Sequence, residues 1–124
     1  MSTAAWCAFL VAAAIGAPAR YLVDGWVHDR TGATFPWGTF AVNVSGCFVL
    51  GVLTGLGLYH HLGATPRTVL GTGGMGAYTT FSTFSFETVR LAEEGSLDRA
   101  VGNAVGGLVA GLAAAALGLA LAAL

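Results

Sequence analysis

The sequence predicts an all-α membrane protein of four transmembrane helices, the third broken in mid-membrane, forming one domain over residues 1–124. Three observations carry that reading. The chain is 56% hydrophobic and 9% charged, whereas a soluble domain carries about 25% charged residues. Apolar runs recur along it, each near the roughly 20 residues a helix needs to cross the hydrocarbon core. Finally, one run contains Gly71, Gly73, Gly74 and Gly76, followed by TTFSTFSFE from Thr79 to Glu87. Irregular backbone survives at bilayer depth only where protein or a water-filled cavity satisfies it, so this interruption is where function is expected.

The first helix is expected from about Ala4 to Val23, with Pro18 near its end. A cleaved signal peptide would need a basic leading region, and Met1 to Cys7 contains no cation. The second helix spans Trp37 to Tyr59 behind Pro36, a residue suited to a first turn. The third covers Thr68 to Val89 after Pro66, and the fourth, almost uncharged, runs from Ala100 to Ala123. The connections Asp24–Phe35, His60–Arg67 and Arg90–Arg99 are too short for an extramembrane domain, and the last resembles an amphipathic end to the third helix. Gly51 and Gly55, and in the fourth helix Gly102, Gly106, Gly107 and Gly111, have the spacing that lets helices approach closely.

Topology is weakly specified. One side would carry Arg67 alone; the other would carry Arg20, Arg30, Arg90 and Arg99, with acids beside them. The positive-inside rule favours a cytoplasmic location for the latter, but the bias is small enough for insertion in both orientations. A chain that inserts both ways can build an antiparallel dimer.

Several function classes fall away. A net charge of −1 offers no basic surface for nucleic acid. Cys7 and Cys47 lie in apolar runs without ligand partners at metal spacing, as small buried hydrophobes do. No carboxylate lies well inside the first, second or fourth span, and Glu87 is near the end of the third. Proton-coupled transport generally relies on such a group. His28, His60 and His61 fall in loops or at the interface, and no nucleophile has a base nearby, so an enzyme is not expected.

What remains is neutral and polar. Thr39 and Asn43 are four apart and share a helix face; helix–helix adhesion is the plainer reading of the asparagine. Phe81 and Phe84, three apart, share a face beside Ser82, Thr83 and Ser85. Core packing would be their ordinary role. Yet aromatic edges are weakly positive, and with hydroxyl and amide protons they suit a small, strongly hydrated anion. Conduction needs sites weak enough to leave. A break between Gly76 and Thr79 would also free backbone carbonyls, which suit an alkali cation.

GAPARY at Gly16–Tyr21, PWGTFAVNVSGCFVLG at Pro36–Gly51 and GTGGMGAYTTFSTFSFE at Gly71–Glu87 resemble, in order and spacing, the Fluc (CrcB) family of bacterial fluoride channels. The resemblance covers essentially the whole chain. It implies a passive fluoride-selective channel in the cell membrane, assembled as an antiparallel dual-topology dimer with two pores. It implies a structural sodium ion at the dimer centre, held by the carbonyls of Gly76 and Thr79. Phe81 and Phe84 would be the pore phenylalanines, lined by Asn43 and Thr39, with Ser82 and Thr83 on the polar track. Arg20 would match the family's arginine at the end of the first helix, and Glu87 the acid closing the third-helix motif. One departure concerns the fourth helix, where Asn103, Gly107 and Gly111 stand in place of expected tyrosine and hydroxyl residues, leaving a gap or room for water. A heterodimer with a related chain, a small dual-topology exporter and a non-conducting accessory subunit stay open as alternatives.

Overall fold

The computed structural model describes residues 1–32 and 34–124, and every described regular element is helical. Helix α1 runs from Thr3 to Thr31. Its first turn is capped by Ser2, whose Oγ accepts from the Ala5 amide at 3.2 Å. It ends at Gly32, left-handed at φ 54°, whose amide closes on the His28 carbonyl. The helix therefore continues past the expected end at Val23 and takes Asp24, Asp29 and Arg30 out of the expected Asp24–Phe35 connection (Ala33 of that connection lies outside the described residues). Charged residues mark where hydrocarbon ends; they do not end a helix, and Arg30 supports its own last turns by lying 3.8 Å over the Trp26 ring.

Helix α2, Trp37–Tyr59, packs most extensively against α6, Leu97–Leu121. Their backbones approach through glycine: a Cβ at Gly51 would overlap the Ala115 carbonyl, and one at Gly118 would overlap that of Phe48. Gly51 and Gly55 were expected to act this way. On α6, Gly102 and Gly106 meet no neighbour within the chain, and Gly118 makes the close approach to α2.

Between these helices the chain does not form one long helix. A single turn, α3 at Ala64–Arg67, leads into a π-helical segment, Thr68–Met75, then a short α4 at Gly76–Tyr78. Thr79 and Thr80 are extended, at φ −76°, ψ 160° and φ −145°, ψ 121°. Helix α5 then covers Phe81–Glu93. The wide π turn is built on Gly71, Gly73 and Gly74, all buried, and π geometry is rare and concentrated at functional sites. It nests against α1: at Gly16 a Cβ would overlap the Gly74 carbonyl, and at Gly73 one would stand 3.0 Å from the Phe9 carbonyl.

Helices α1, α2 and α6 are each long and apolar enough to cross a membrane. Their large apolar side chains point outward, among them Leu10, Ile15, Leu108 and Leu112, while small residues, Val42 and Leu91 fill the interior. That inverted distribution suits lipid rather than water.

Candidate functional site

At the interruption, the Thr80 backbone is held by one side chain. Asn43 of α2 donates from Nδ2 to the Thr80 carbonyl at 2.8 Å and accepts from the Thr80 amide on Oδ1 at 2.8 Å. A continuous α-helix would have closed the Thr80 amide onto the Gly76 carbonyl; with that amide turned to Asn43, Gly76 loses its helical donor. The carboxamide pairs with extended backbone as a neighbouring strand would, satisfying both groups without water. Gly46, one turn further along α2, lets Thr79 approach: a Cβ there would overlap the Thr79 methyl.

Thr80 is also the cap of α5. Its Oγ1 accepts from the Thr83 amide at 3.2 Å, donates to Thr83 Oγ1 at 3.0 Å and lies 3.3 Å from Ser82 Oγ. A threonine at this position satisfies one of the orphan amides of a helix start. Ser82 and Thr83 thus gather around Thr80 on an exposed face.

Two cavities meet at Thr80. The larger, about 450 Å³, is walled by Phe40, Asn43, Phe81, Phe84, Asn103 and Gly107 among others. Phe81 and Phe84 lie with centroids 6.0 Å apart and planes at 40°, and Phe81 is 80% exposed. The smaller, about 240 Å³, is lined by Arg20, Asp24, Thr39 and Thr83. The structure therefore divides the sequence-expected residues: Asn43, Phe81 and Phe84 share one cavity, while Thr39, Thr83 and Arg20 share the other. Thr39 is buried and donates to Glu87 Oε1 at 3.1 Å; Glu87 Oε2 is buried without a partner among the described residues. Arg20 Nη1 donates to the Thr79 carbonyl at 3.4 Å.

At the fourth-helix departure Gly107 borders the larger cavity, and Phe84 lies so close to it that a Cβ there would stand 2.9 Å from its Cε2. At Gly111 a Cβ would meet Cys47 Sγ at an ordinary 3.4 Å. Asn103 is buried and donates to Thr88 Oγ1 at 2.8 Å, which in turn donates to the Phe84 carbonyl at 2.8 Å. It ties α6 to the backbone that carries the second phenylalanine. Sequence reasoning missed Thr80 and Thr88. A hydroxyl residue directly after a helix-breaking stretch is a cap signal that would have found Thr80; nothing local distinguishes Thr88.

Among the described residues no group of His, Cys, Asp and Glu is placed to hold a metal ion. The oxygen donors near the interruption are backbone carbonyls and the hydroxyls of Thr79, Thr80, Ser82 and Thr83.

Fold and site together define a small helical membrane protein with an amide-clamped interruption beside an aromatic cavity. The profile of the family described as "CrcB-like protein, Camphor Resistance (CrcB)" matches residues 7–119, and the chain belongs to that family. It is 49% identical over 98 residues to "Fluoride-specific ion channel FluC 1" of Streptomyces avermitilis, covering 79% of each chain. To the protein of the same description from Frankia casuarinae it is 46% identical over 125 residues, covering 94% of this chain and 95% of the relative. A third, from Leifsonia xyli subsp. xyli, is 47% identical over 117 residues, 94% and 85% of the two chains. With three span-capable helices in a family of this kind, the chain is a multi-pass membrane protein.

Proposed function

We propose that this chain is a fluoride-selective ion channel, a conductor and not an enzyme, which lets cytoplasmic fluoride leave the cell passively in single file. The observation that carries the proposal is the aromatic cavity at the amide-clamped interruption, in a chain 46–51% identical to several proteins named as fluoride-specific channels. Fluoride crosses membranes as the neutral acid HF, dissociates inside, and is driven out as the anion by an interior-negative potential.

The path would run past Asn43, Phe81 and Phe84. Asn43 uses one amide proton on Thr80, and the other is available to an anion on the cavity side. The phenyl edges supply weak positive poles without a fixed charge. Ser82 and Thr83, beside Thr80, would hydrate the ion at the far end, while Thr39, its proton given to Glu87, would line that side without donating to the ion. Arg20 is held on the Thr79 carbonyl and Glu87 on Thr39, so both would act as positioning groups. Weak poles in series suit conduction because each site can be left.

The finer architecture is part of the same proposal. The segment from Thr68 to Val89 would be a third, interrupted crossing between α2 and α6, giving four in all. Two copies, or this chain and a related one, would pair in antiparallel orientation and cover the exposed Phe81 face. A sodium ion at their centre would be held by the Gly76 and Thr79 carbonyls. Those groups fit a hard cation: the Gly76 carbonyl lacks its helical donor, and the Thr79 carbonyl has a second lone pair beside its long contact to Arg20. Such an ion supplies a compact positive charge that ties the interrupted segments together.

The test is fluoride efflux from liposomes containing the purified protein, with chloride as control and with or without sodium. Fluoride efflux without chloride efflux supports the proposal. Proton movement driven by an organic substrate would favour an exporter instead, and efflux appearing only with a partner chain would favour the heterodimer.

A further inference from the structure

A third cavity, about 280 Å³, opens between α2 and the start of the π segment; its walls include Leu50, Thr54, Arg67, Thr68 and Thr72. Arg67 is the charged residue of this groove. Its Nε is buried and has no hydrogen-bond partner among the described residues, where the one salt bridge is Arg90–Glu94. The side chain is seated by Gly57, at which a Cβ would stand 2.5 Å from Arg67 Cδ and 2.6 Å from Nη1. Thr54 turns its hydroxyl proton to the Leu50 carbonyl at 2.8 Å, whereas no hydrogen bond is formed by the hydroxyls of Thr68 and Thr72 among the described residues. Arg67, partly buried and without a counter-ion among the described residues, lines the groove beside two hydroxyls that form no hydrogen bond there, a donor set for an anion.

Its position gives this donor set a use. Leu50 lines both the Arg67 groove and the Phe81–Phe84 cavity. At 1.5 Å per residue, Asn43 lies about 10 Å from Leu50 along α2, and Gly57 lies about 10 Å beyond it. The two spaces therefore follow one another along α2, with Leu50 between them.

We propose that the Arg67 groove is an anion-collecting site that delivers fluoride to the Phe81–Phe84 cavity past Leu50 from the C-terminal end of α2. The inference rests on the channel reading above. A fixed positive charge suits collection, where attraction from water raises the local anion concentration. It would be a trap inside the narrow path, which is why it sits outside the aromatic cavity.

Efflux from liposomes at low fluoride, in buffers of about 0.01 M and about 0.15 M ionic strength with Debye lengths of about 30 and 8 Å, tests this. Arg67→Gln is expected to lower initial efflux about three- to tenfold at low ionic strength, and to come within about twofold of wild type at the higher one. Arg67→Lys should stay near wild type in both buffers. Equal efflux from Arg67→Gln and an active wild type at low ionic strength would overturn the inference alone. So would a loss that ignores ionic strength and is shared by Arg67→Lys, the mark of a packing role. A loss confined to liposomes containing phosphatidylglycerol would overturn it too, assigning the groove to a lipid phosphate. A silent wild type overturns the channel proposal and this inference with it, so the two failures are told apart. If Arg67→Gln does not assemble by size exclusion, Arg67→Met, which removes the charge and keeps most of the apolar stem, must show the same ionic-strength dependence or the inference fails.

Discussion

On one side of Thr80 the cavity is large and mostly apolar, walled by Phe40, Val44, Leu50, Phe81 and Phe84, with the Asn43 and Asn103 amides as its main polar groups. On the other side it is half the size and carries Arg20, Asp24, Thr39 and Thr83. Both are built on Thr80, but the charged side chains are all on the smaller side. Arg20 is held by the Thr79 carbonyl and Glu87 by Thr39, so charge is used there to hold the backbone in place. The aromatic side is left with amide protons and ring edges. An anion that must leave as readily as it arrives is better served by that side, and the contrast predicts where substitutions act on flux and where on stability.

The largest effect is expected at the wall between the cavities. Asn43→Asp replaces the Nδ2 donor by an oxygen facing the Thr80 carbonyl, losing a buried hydrogen bond and costing about 1–3 kcal/mol. Fluoride efflux should fall on the order of 100-fold, with a lower melting temperature in detergent. Normal efflux in this variant would remove Asn43 from the path. Unlike a residue that only lines a pore, Asn43 should lose structure and conduction together.

Phe81→Ile separates the two. Phe81 is 80% exposed in the chain, so the fold should melt within about 2 °C of wild type while efflux drops about 10- to 100-fold. A variant that melts early but conducts normally would make Phe81 a packing residue. Next in size is Gly107→Ala, whose methyl would stand 2.9 Å from Phe84 Cε2. Overpacking of this kind costs about 1–3 kcal/mol, and displacement of the ring should reduce efflux about tenfold if Phe84 is on the path. Unchanged efflux and melting would show that the ring moves aside freely. The smallest effect belongs to the polar side. Thr39→Val leaves Glu87 without its 3.1 Å donor and should cost about 1–2 kcal/mol in stability, with efflux reduced less than about threefold. If efflux fell as far as in Phe81→Ile, the division between the cavities would collapse and Thr39 would rejoin Phe81 on a single path.

How much of this was legible in the sequence varies with the kind of signal. The second helix was readable to its ends because Pro36 opens it and its apolar run is continuous. The first was misjudged at its C-terminus because Asp24, Asp29 and Arg30 look like loop residues. Asp24 is instead accommodated by a partner, since its carboxylate occupies the space that a side chain at Gly38 would need. Glycine density between Gly71 and Gly76 marked a weak helix but not its π geometry, which depends on how α1 packs against it. Among the site residues, Asn43, Phe81 and Phe84 were legible as a set. Thr39 and Thr83 were expected beside them and lie across Thr80, because helical spacing says which residues share a face but not which neighbour that face meets.

By itself the sequence determined the membrane class, the apolar helices, the place of the interruption and the family. Each follows from composition, run length or residue type at short range, which the chain carries without folding. Tertiary structure alone decided that Asn43 clamps the Thr80 backbone, that the Phe84 ring occupies the space at Gly107, and that Arg67 lies without a partner among the described residues in a groove ending at Leu50. Those outcomes join residues 23 to 37 positions apart in the first two cases, and a long-range contact depends on which helices become neighbours and at what rotation. No local pattern encodes that choice.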